Sequence, residues 1–268
     1  MAMQTFAMHS ASRDDCLIAL FGNCGGSVLN HMRENSAVCP VPGSAEDGSW
    51  AVRNGVISPL RLKITENGFE DADPNDGLPI SGNTHQPRIV TQLDFRNNRT
   101  SKTFVVKALC FSHNSKYTRV INPLVSQGHN MTDTPSTMVF KFMLEEPRGA
   151  SNANCHLMLV DQNNKAFSVK AEIEKSELNK FHVYCMTADY DSEPGKLHVK
   201  IYIDGVLRAS DSRESFAWSL TMYDNEVVPK LVGLRMAVTG MPMRVDNVLH
   251  YALIFDSALS ADEIAKFT

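Results

Sequence analysis

The chain of 268 residues has no Cys-x-x-Cys pair, no block of lysines and arginines, and no apolar run long enough to cross a bilayer. Each absence removes a class of function. Six cysteines (Cys16, Cys24, Cys39, Cys110, Cys155, Cys185) without paired spacing argue against a zinc ribbon or a thioredoxin-like motif. An even cysteine count in a chain this long says little about disulfides. Cys185, set inside an apolar strand, reads as a small hydrophobe. A formal net charge of −4 with dispersed basic residues gives no reason to expect nucleic acid as a partner. The longest early apolar stretch, Cys16-Leu-Ile-Ala-Leu-Phe21, is too short for a membrane span. It also follows Asp14 and Asp15, where a secretory leader would carry cations. The expectation is a chain made in the cytoplasm, with no membrane insertion. The Asn98-Arg-Thr and Asn130-Met-Thr sequons are then read as chance matches.

Common catalytic spacings are missing as well. The nine histidines show no His-x-x-x-His or His-Glu-x-x-His pattern, and no Gly-x-Ser-x-Gly elbow occurs. Helix signals are scarce. What the chain does hold is a series of short strands cut by turn dipeptides: Asp47-Gly48, Asn54-Gly55, Asn67-Gly68, Asp76-Gly77 and Asp204-Gly205. Strands are predicted over 60–65, 88–95, 102–111, 137–144, 155–160, 166–173, 181–188, 197–203, 231–238 and 248–255. In 197–203, Leu197, Val199, Ile201 and Ile203 face one way and His198, Lys200 and Tyr202 the other, as in a strand with one face on a core. In 181–187, Phe181, Val183 and Cys185 alternate with His182, Tyr184 and Met186, and the second set is apolar enough to imply cover. The polar stretches 71–87 and 122–136 read as long loops.

Residues 1–45 lack this periodicity and read as an N-terminal arm or an entry strand packed on the domain; residues 46–268 read as one domain. Near the end, Ser260-Ala-Asp-Glu263 has the form of a capping box at the start of a short helix. About ten short strands with one helix predict an all-β, two-sheet antiparallel jelly-roll β-sandwich.

One set of motifs, in order, resembles a known group. Asn179-Lys-Phe-His-Val-Tyr184 is followed by Tyr190-Asp191, Lys200-Ile-Tyr-Ile-Asp-Gly-Val206 and Leu253-Ile-Phe-Asp-Ser-Ala-Leu-Ser-Ala-Asp-Glu-Ile264. Upstream stand Thr103-Phe-Val-Val-Lys107 and Pro123-Leu-Val-Ser-Gln-Gly128. Over roughly residues 90–268 this order resembles the concanavalin A-like, laminin-G-like jelly-roll superfamily. Phe181 stands where many members carry Trp, and Arg244-Val-Asp-Asn-Val248 only loosely echoes the usual lead into the last strand. Members that bind Ca2+ use loop carboxylates and carbonyls. No particular pair is matched here, so Ca2+ stays open as a ligand.

The resemblance implies a non-catalytic, lectin-like recognition or adhesion module that holds a glycan or another surface ligand in its loops. Phe216-Ala-Trp-Ser-Leu-Thr-Met-Tyr-Asp-Asn225 suits that role. The rings of Trp218 and Tyr223 could stack on the apolar side of a pyranose while Asp224 and Asn225 bond its hydroxyls. The competing reading puts Phe216 and Trp218 in a core or a subunit contact. A second function is a structural virion protein, a capsid decoration or fibre protein with other virion subunits as partners, tied to its particle by the arm. A third is a glycan hydrolase or lyase. For that, Glu172-Ile-Glu-Lys-Ser-Glu177 approximates the Glu-x-Asp-x-x-Glu strand of retaining glucanases, whose two working carboxylates lie about 5 Å apart. Interleaved glutamates and lysines more often mark a solvated edge. Asp204 reads as a turn residue rather than a ligand contact. His182 and His198, on neighbouring strands, are expected to share one polar face and so to be able to form a metal pair.

Overall fold

The computed structural model describes residues 6–7, 9–10, 12–24, 27–32, 49–53, 56–60, 62–65, 68–71, 89–91, 101–110, 119–128, 138–147, 149–161, 165–191, 195–216, 230–232 and 248–268. Its strands, in chain order, are β1 (Cys16–Cys24), β2 (Ser27–Met32), β3 (Ser49–Arg53), β4 (Val56–Leu60), β5 (Leu62–Thr65), β6 (Gly68–Asp71), β7 (Ile89–Thr91), β8 (Lys102–Leu109), β9 (Arg119–Gly128), β10 (Met138–Pro147), β11 (Asn152–Val160), β12 (Ala166–Glu174), β13 (Phe181–Asp191), β14 (Lys196–Ile203), β15 (Val206–Arg213), β16 (Lys230–Val232) and β17 (Val248–Phe255). A single turn of 3-10 helix spans Lys175–Glu177, and a short α-helix, α1, spans Ala261–Ala265.

These strands make an all-β sandwich of two antiparallel sheets. The larger runs β15-β14-β13-β8-β17-β1-β2, with β6 beside β17 and β5 beside β6; the smaller runs β12-β11-β10-β9-β16-β7. A separate hairpin joins β3 to β4. Of the segment before residue 46, β1 is a strand of the larger sheet, hydrogen-bonded between β17 and β2.

The inner faces of the two sheets meet in one apolar layer. The larger sheet contributes Phe104, Val106, Tyr184, Met186, Leu197, Val199, Ile201 and Ile254. The smaller contributes Phe140, Phe142, Leu144, Leu157, Leu159, Phe167, Val169 and Ile173. Phe104 and Phe140 touch within this layer, ring centroids 5.0 Å apart. The predicted inward set of β14 is therefore correct. The alternation of β13 has a different meaning from the one expected. Tyr184 and Met186 point into the inter-sheet layer, while Val183 and Cys185 are buried on the opposite face.

That opposite face has its own cover. Val105, Val183, Cys185, Tyr202, Tyr251, Leu253 and Phe255 pack under Ala7 from the N-terminal segment and under Leu259, Ile264 and Phe267 around α1. Phe6 meets Phe267 edge-on at 5.0 Å. Polar pairs fasten this cover. Arg13 bonds Asp15 and Glu263, and Ser257 donates to Asp15. The buried Lys102 ammonium pairs with Asp256, and Thr103 Oγ1 donates to the Ser257 carbonyl while accepting from the Leu259 amide. The capping box forms as predicted: Ser260 accepts from the Glu263 amide, and Glu263 accepts from the Ser260 amide.

The sequence reading missed β1, β2, β3, β4, β6, β9 and β15, and for β9 and β15 the reason is visible. The loop predicted over 122–136 overlaps β9, which continues to Gly128. Pro123 has no N–H to give to a ladder, and the register with β10 slips there: Val125 pairs with Phe142 and Pro123 with Met143, leaving Leu124 as the extra, buried residue. A bulge is where an interior strand tolerates proline. β15 escaped prediction because it is an edge strand without an apolar alternation. A register shift opposite Ile201 and Tyr202, together with Arg208 and Asp211, gives it the bulge and charges that discourage edge pairing.

The predicted Asp204-Gly205 turn closes the β14–β15 hairpin with both residues at positive φ, 49° and 73°. At Gly205 an added Cβ would lie 3.2 Å from the Ala265 backbone and 3.1 Å from the Thr268 side chain. The turn is thus wedged against the C-terminal helix. Gly205→Ala is expected to lower the unfolding free energy by about 1–2 kcal/mol from the left-handed backbone alone. Urea denaturation should show that loss, with the crowding at Ala265 adding to it.

Candidate functional site

The residues proposed from sequence to hold a ligand, Trp218, Tyr223, Asp224 and Asn225, lie outside the described residues. Their attachment is described. β15 ends at Arg213, and Phe216 follows fully buried in the inter-sheet layer. The Phe216 amide donates to the Gly195 carbonyl at 2.8 Å, its ring lies 6.0 Å from Phe167, and the Arg213 guanidinium sits over it at 5.9 Å. Arg213 also donates to the Ala166 carbonyl at 2.8 Å, linking the edge strands of the two sheets. Phe216 is thus anchored at the end of the sandwich remote from the Asp204-Gly205 turn.

The described residues also place a polar cluster on the outer face of the smaller sheet. The register sets Met143 opposite His156, and His156 opposite Lys170. Side chains on this face alternate with Phe142, Leu144, Leu157, Val169 and Ala171, which point into the core. Glu145 reaches back along β10 so that one oxygen lies 3.1 Å from Lys170 Nζ and 3.5 Å from His156 Nδ1. Glu145 and His156 are buried, as are Met143 and Met158 beside them, whereas Lys170 on the edge strand is half exposed. His156 and Lys170 hold the Glu145 carboxyl far below the usual carboxylate range, against the opposing effect of burial. No sequence motif marks this trio, because Glu145 and Lys170 stand 25 residues apart and only strand register joins them. The most visible local trace was the acidic pair Glu145-Glu146 at the end of a strand otherwise rich in apolar residues.

The glutamates weighed as a glycosidase pair do not converge on a site. Glu172 and Glu174 lie exposed on β12, where they accept from Asn152 and Ser176 at 2.9 and 3.1 Å. Glu177 sits in the 3-10 turn and pairs with Lys180, which lowers its pKa. A general acid requires a shift in the opposite direction.

The histidine pair is overturned as well. The β13–β14 register puts His198 opposite Asp189 and carries His182 to the other end of the strand. His182 also belongs to the opposite face, in line with Tyr184 and Met186. Its partner is Asp204, 2.6 Å from Nδ1. Asp204 Oδ1 accepts from the Val183 amide at 2.9 Å, so the expected structural role of Asp204 is built from both carboxylate oxygens. Among the described residues no group of three or more His, Cys, Asp or Glu side chains is placed to hold a metal ion. Cys16, Cys110, Cys155 and Cys185 are buried. No helix among the described residues is long and apolar enough to cross a membrane.

No protein-family model and no curated protein matches the chain. Its fold is similar to several solved structures, two of them of botulinum neurotoxins. One is the W1252A mutant of the HCR D/C protein VPI 5995, with a TM-score of 0.57 at 13% identity, over 94% of this chain and 51% of that one. Another is the binding domain of botulinum neurotoxin DC in complex with SialylT, with a TM-score of 0.52 at 12% identity over 94% and 50%. A third is botulinum neurotoxin type C, which depends on interaction with two ganglioside molecules to enter cells; the TM-score is 0.51 at 12% identity over 94% and 50%. The chain thus spans about half the length of these structures, and at such identities the shared property is the β-sandwich fold.

The Glu145 cluster makes a prediction about acid. A carboxylate held below its unfolded pKa of about 4.3 contributes stability above that pH and loses it as pH falls further. Glu145→Gln should destabilise the protein at neutral pH by about 1–3 kcal/mol, the cost of leaving buried polar partners poorly matched. Denaturant unfolding below about pH 5 should then show a shallower acid loss for the variant than for the parent.

Proposed function

We propose that the protein is a non-catalytic carbohydrate-recognition module, a lectin-like β-sandwich of the concanavalin A-like kind. The observation that carries this reading is the fold likeness itself. A sandwich similar over 94% of the chain recurs in toxin structures described as a binding domain in complex with SialylT and as dependent on two ganglioside molecules. The scattered glutamates of β12 and the 3-10 turn support recognition over hydrolysis, since each is held by its own neighbour. Fold does not fix function, so the reading rests on a site that fits a sugar.

The segment after Phe216 fits one. Trp218 and Tyr223 supply aromatic faces for a pyranose ring, and Asp224 and Asn225 supply acceptors and donors for its hydroxyls. Phe216 and Arg213 fix where that segment starts, which reduces the ordering cost of binding.

A glycan array with sialylated, ganglioside-derived and neutral oligosaccharides tests the proposal. Binding to at least one class is expected, and Trp218→Ala should weaken it tenfold or more, roughly 1.4 kcal/mol. Silence across the array defeats the recognition reading. Binding that survives Trp218→Ala but falls with Lys170→Ala would move the site to the outer face of the smaller sheet.

A further inference from the structure

We propose that His182 is a proton-operated clamp that closes one end of the sandwich, holding the β14–β15 hairpin to the turn that links the two sheets. The geometry carries the inference. The buried ring has an oxygen acceptor on each nitrogen: Asp204 Oδ2 lies 2.6 Å from Nδ1, and the Glu177 carbonyl lies 2.7 Å from Nε2. A carbonyl oxygen only accepts, so Nε2 carries a proton. Asp204 is held as a carboxylate by the Val183 amide on its other oxygen, so Nδ1 carries a proton too. The ring that satisfies both contacts is the imidazolium, and loss of one proton sets a nitrogen lone pair against an oxygen.

The groups facing the ring come from several elements. Asp204 belongs to the hairpin turn; Glu177 and Lys180 belong to the 3-10 turn and the residues after it; Tyr184 lies on β13 itself, its ring 5.8 Å away. From β17, His250 packs on Phe181 instead. The Glu177 carboxylate is occupied by Lys180, so it is the Glu177 backbone that reads the proton. Burial lowers the His182 pKa, and the Asp204 bond and the Glu177 carbonyl together overcome it, so the net displacement is upward, with Lys180 opposing.

The clamp reaches beyond its own contacts. Lys175, at the start of the same turn, donates its amide to the Ser151 carbonyl and its ammonium to the Pro147 carbonyl, which ties the turn to the β10–β11 hairpin of the smaller sheet. On the other side, Asp204 exchanges backbone and side-chain bonds with Val183, and Gly205 abuts α1. One proton thus couples the smaller sheet, the hairpin of the larger sheet and the C-terminal cover. The sign follows from the upward displacement. The stabilisation is complete below the ordinary histidine pKa of about 6.5 and is lost as pH rises through the higher folded value. The end of the sandwich is tightest in mild acid and loosens toward alkaline pH.

Two-bond 15N–1H spectra of the full chain labelled at its histidine rings test this directly. One ring is expected to keep both nitrogens protonated to a higher pH than a histidine in a short peptide in the same buffer. That signal should be missing in His182→Gln. It should become neutral at least one pH unit lower in Asp204→Asn, a change that keeps a residue suited to the turn. Amide exchange at Val183 and Asp204, corrected for its intrinsic pH dependence, should accelerate as the ring titrates. The clamp is overturned if no ring stays doubly protonated to a higher pH than the peptide histidine, or if the one that does is indifferent to Asp204→Asn. If His182→Gln fails to fold, the parent spectrum and Asp204→Asn still decide the matter.

Discussion

The central strands of the larger sheet are buried on both faces, and the rest of the structure follows from that constraint. An antiparallel sheet usually presents one face to a core and the other to water. Here Phe104, Val106, Tyr184 and Met186 point into the sandwich, and Val105, Val183, Cys185, Leu253 and Phe255 point out of it, all essentially inaccessible. The outward set needs an apolar lid, and the two ends of the described chain supply it. Phe6 and Ala7 approach from one side and Leu259, Ile264 and Phe267 from the other. Each large apolar side chain so buried contributes about 1.5–3 kcal/mol. The lid is therefore a second core, and the ion pairs around Arg13, Lys102 and Asp256 act chiefly to set its register on the sheet.

A sheet covered in this way leaves limited surface for recognition. The outer face of β13, β8 and β17 is occupied by the lid, and the inner face by the smaller sheet. On the smaller sheet, too, the outward-facing Met143, Glu145, His156 and Met158 are buried. That face carries the Glu145, His156 and Lys170 cluster, in which Lys170 on the edge strand β12 is the half-exposed member. One end of the sandwich carries the departure point toward Trp218, fixed by Phe216 and Arg213. The other carries the His182 clamp.

Most of the fold was legible in the sequence because its signals are local. The turn dipeptide Asp204-Gly205 marks a hairpin by the φ values it tolerates, and Ser260 with Glu263 marks a helix start by the amides they satisfy. Alternation in β14 reported its buried face directly. The failures have physical causes too. β9 was hidden by Pro123, whose missing donor is absorbed by a bulge, and β15 by the polar composition of an exposed edge. β13 misled because both of its faces are buried, so its alternation had no polar side to report.

The polar sites were less legible because they depend on register, which the sequence does not state. His182 and His198 stand on adjacent strands, and adjacency alone suggested a pair. Register separates them by most of the length of β13 and places them on opposite faces. The same register delivers His182 to Asp204, so a residue whose turn preference fully explains its presence gains a second task. That task is consistent with the first. Asp204 must hold a left-handed backbone at the turn, and a carboxylate bound to the Val183 amide and to a charged ring steadies that conformation. A residue already committed to architecture can therefore also carry a proton-dependent contact, provided that its free oxygen faces a buried donor. At the other end of the sandwich, where Phe216 hands the chain to Trp218, the anchor is apolar and stacking-based.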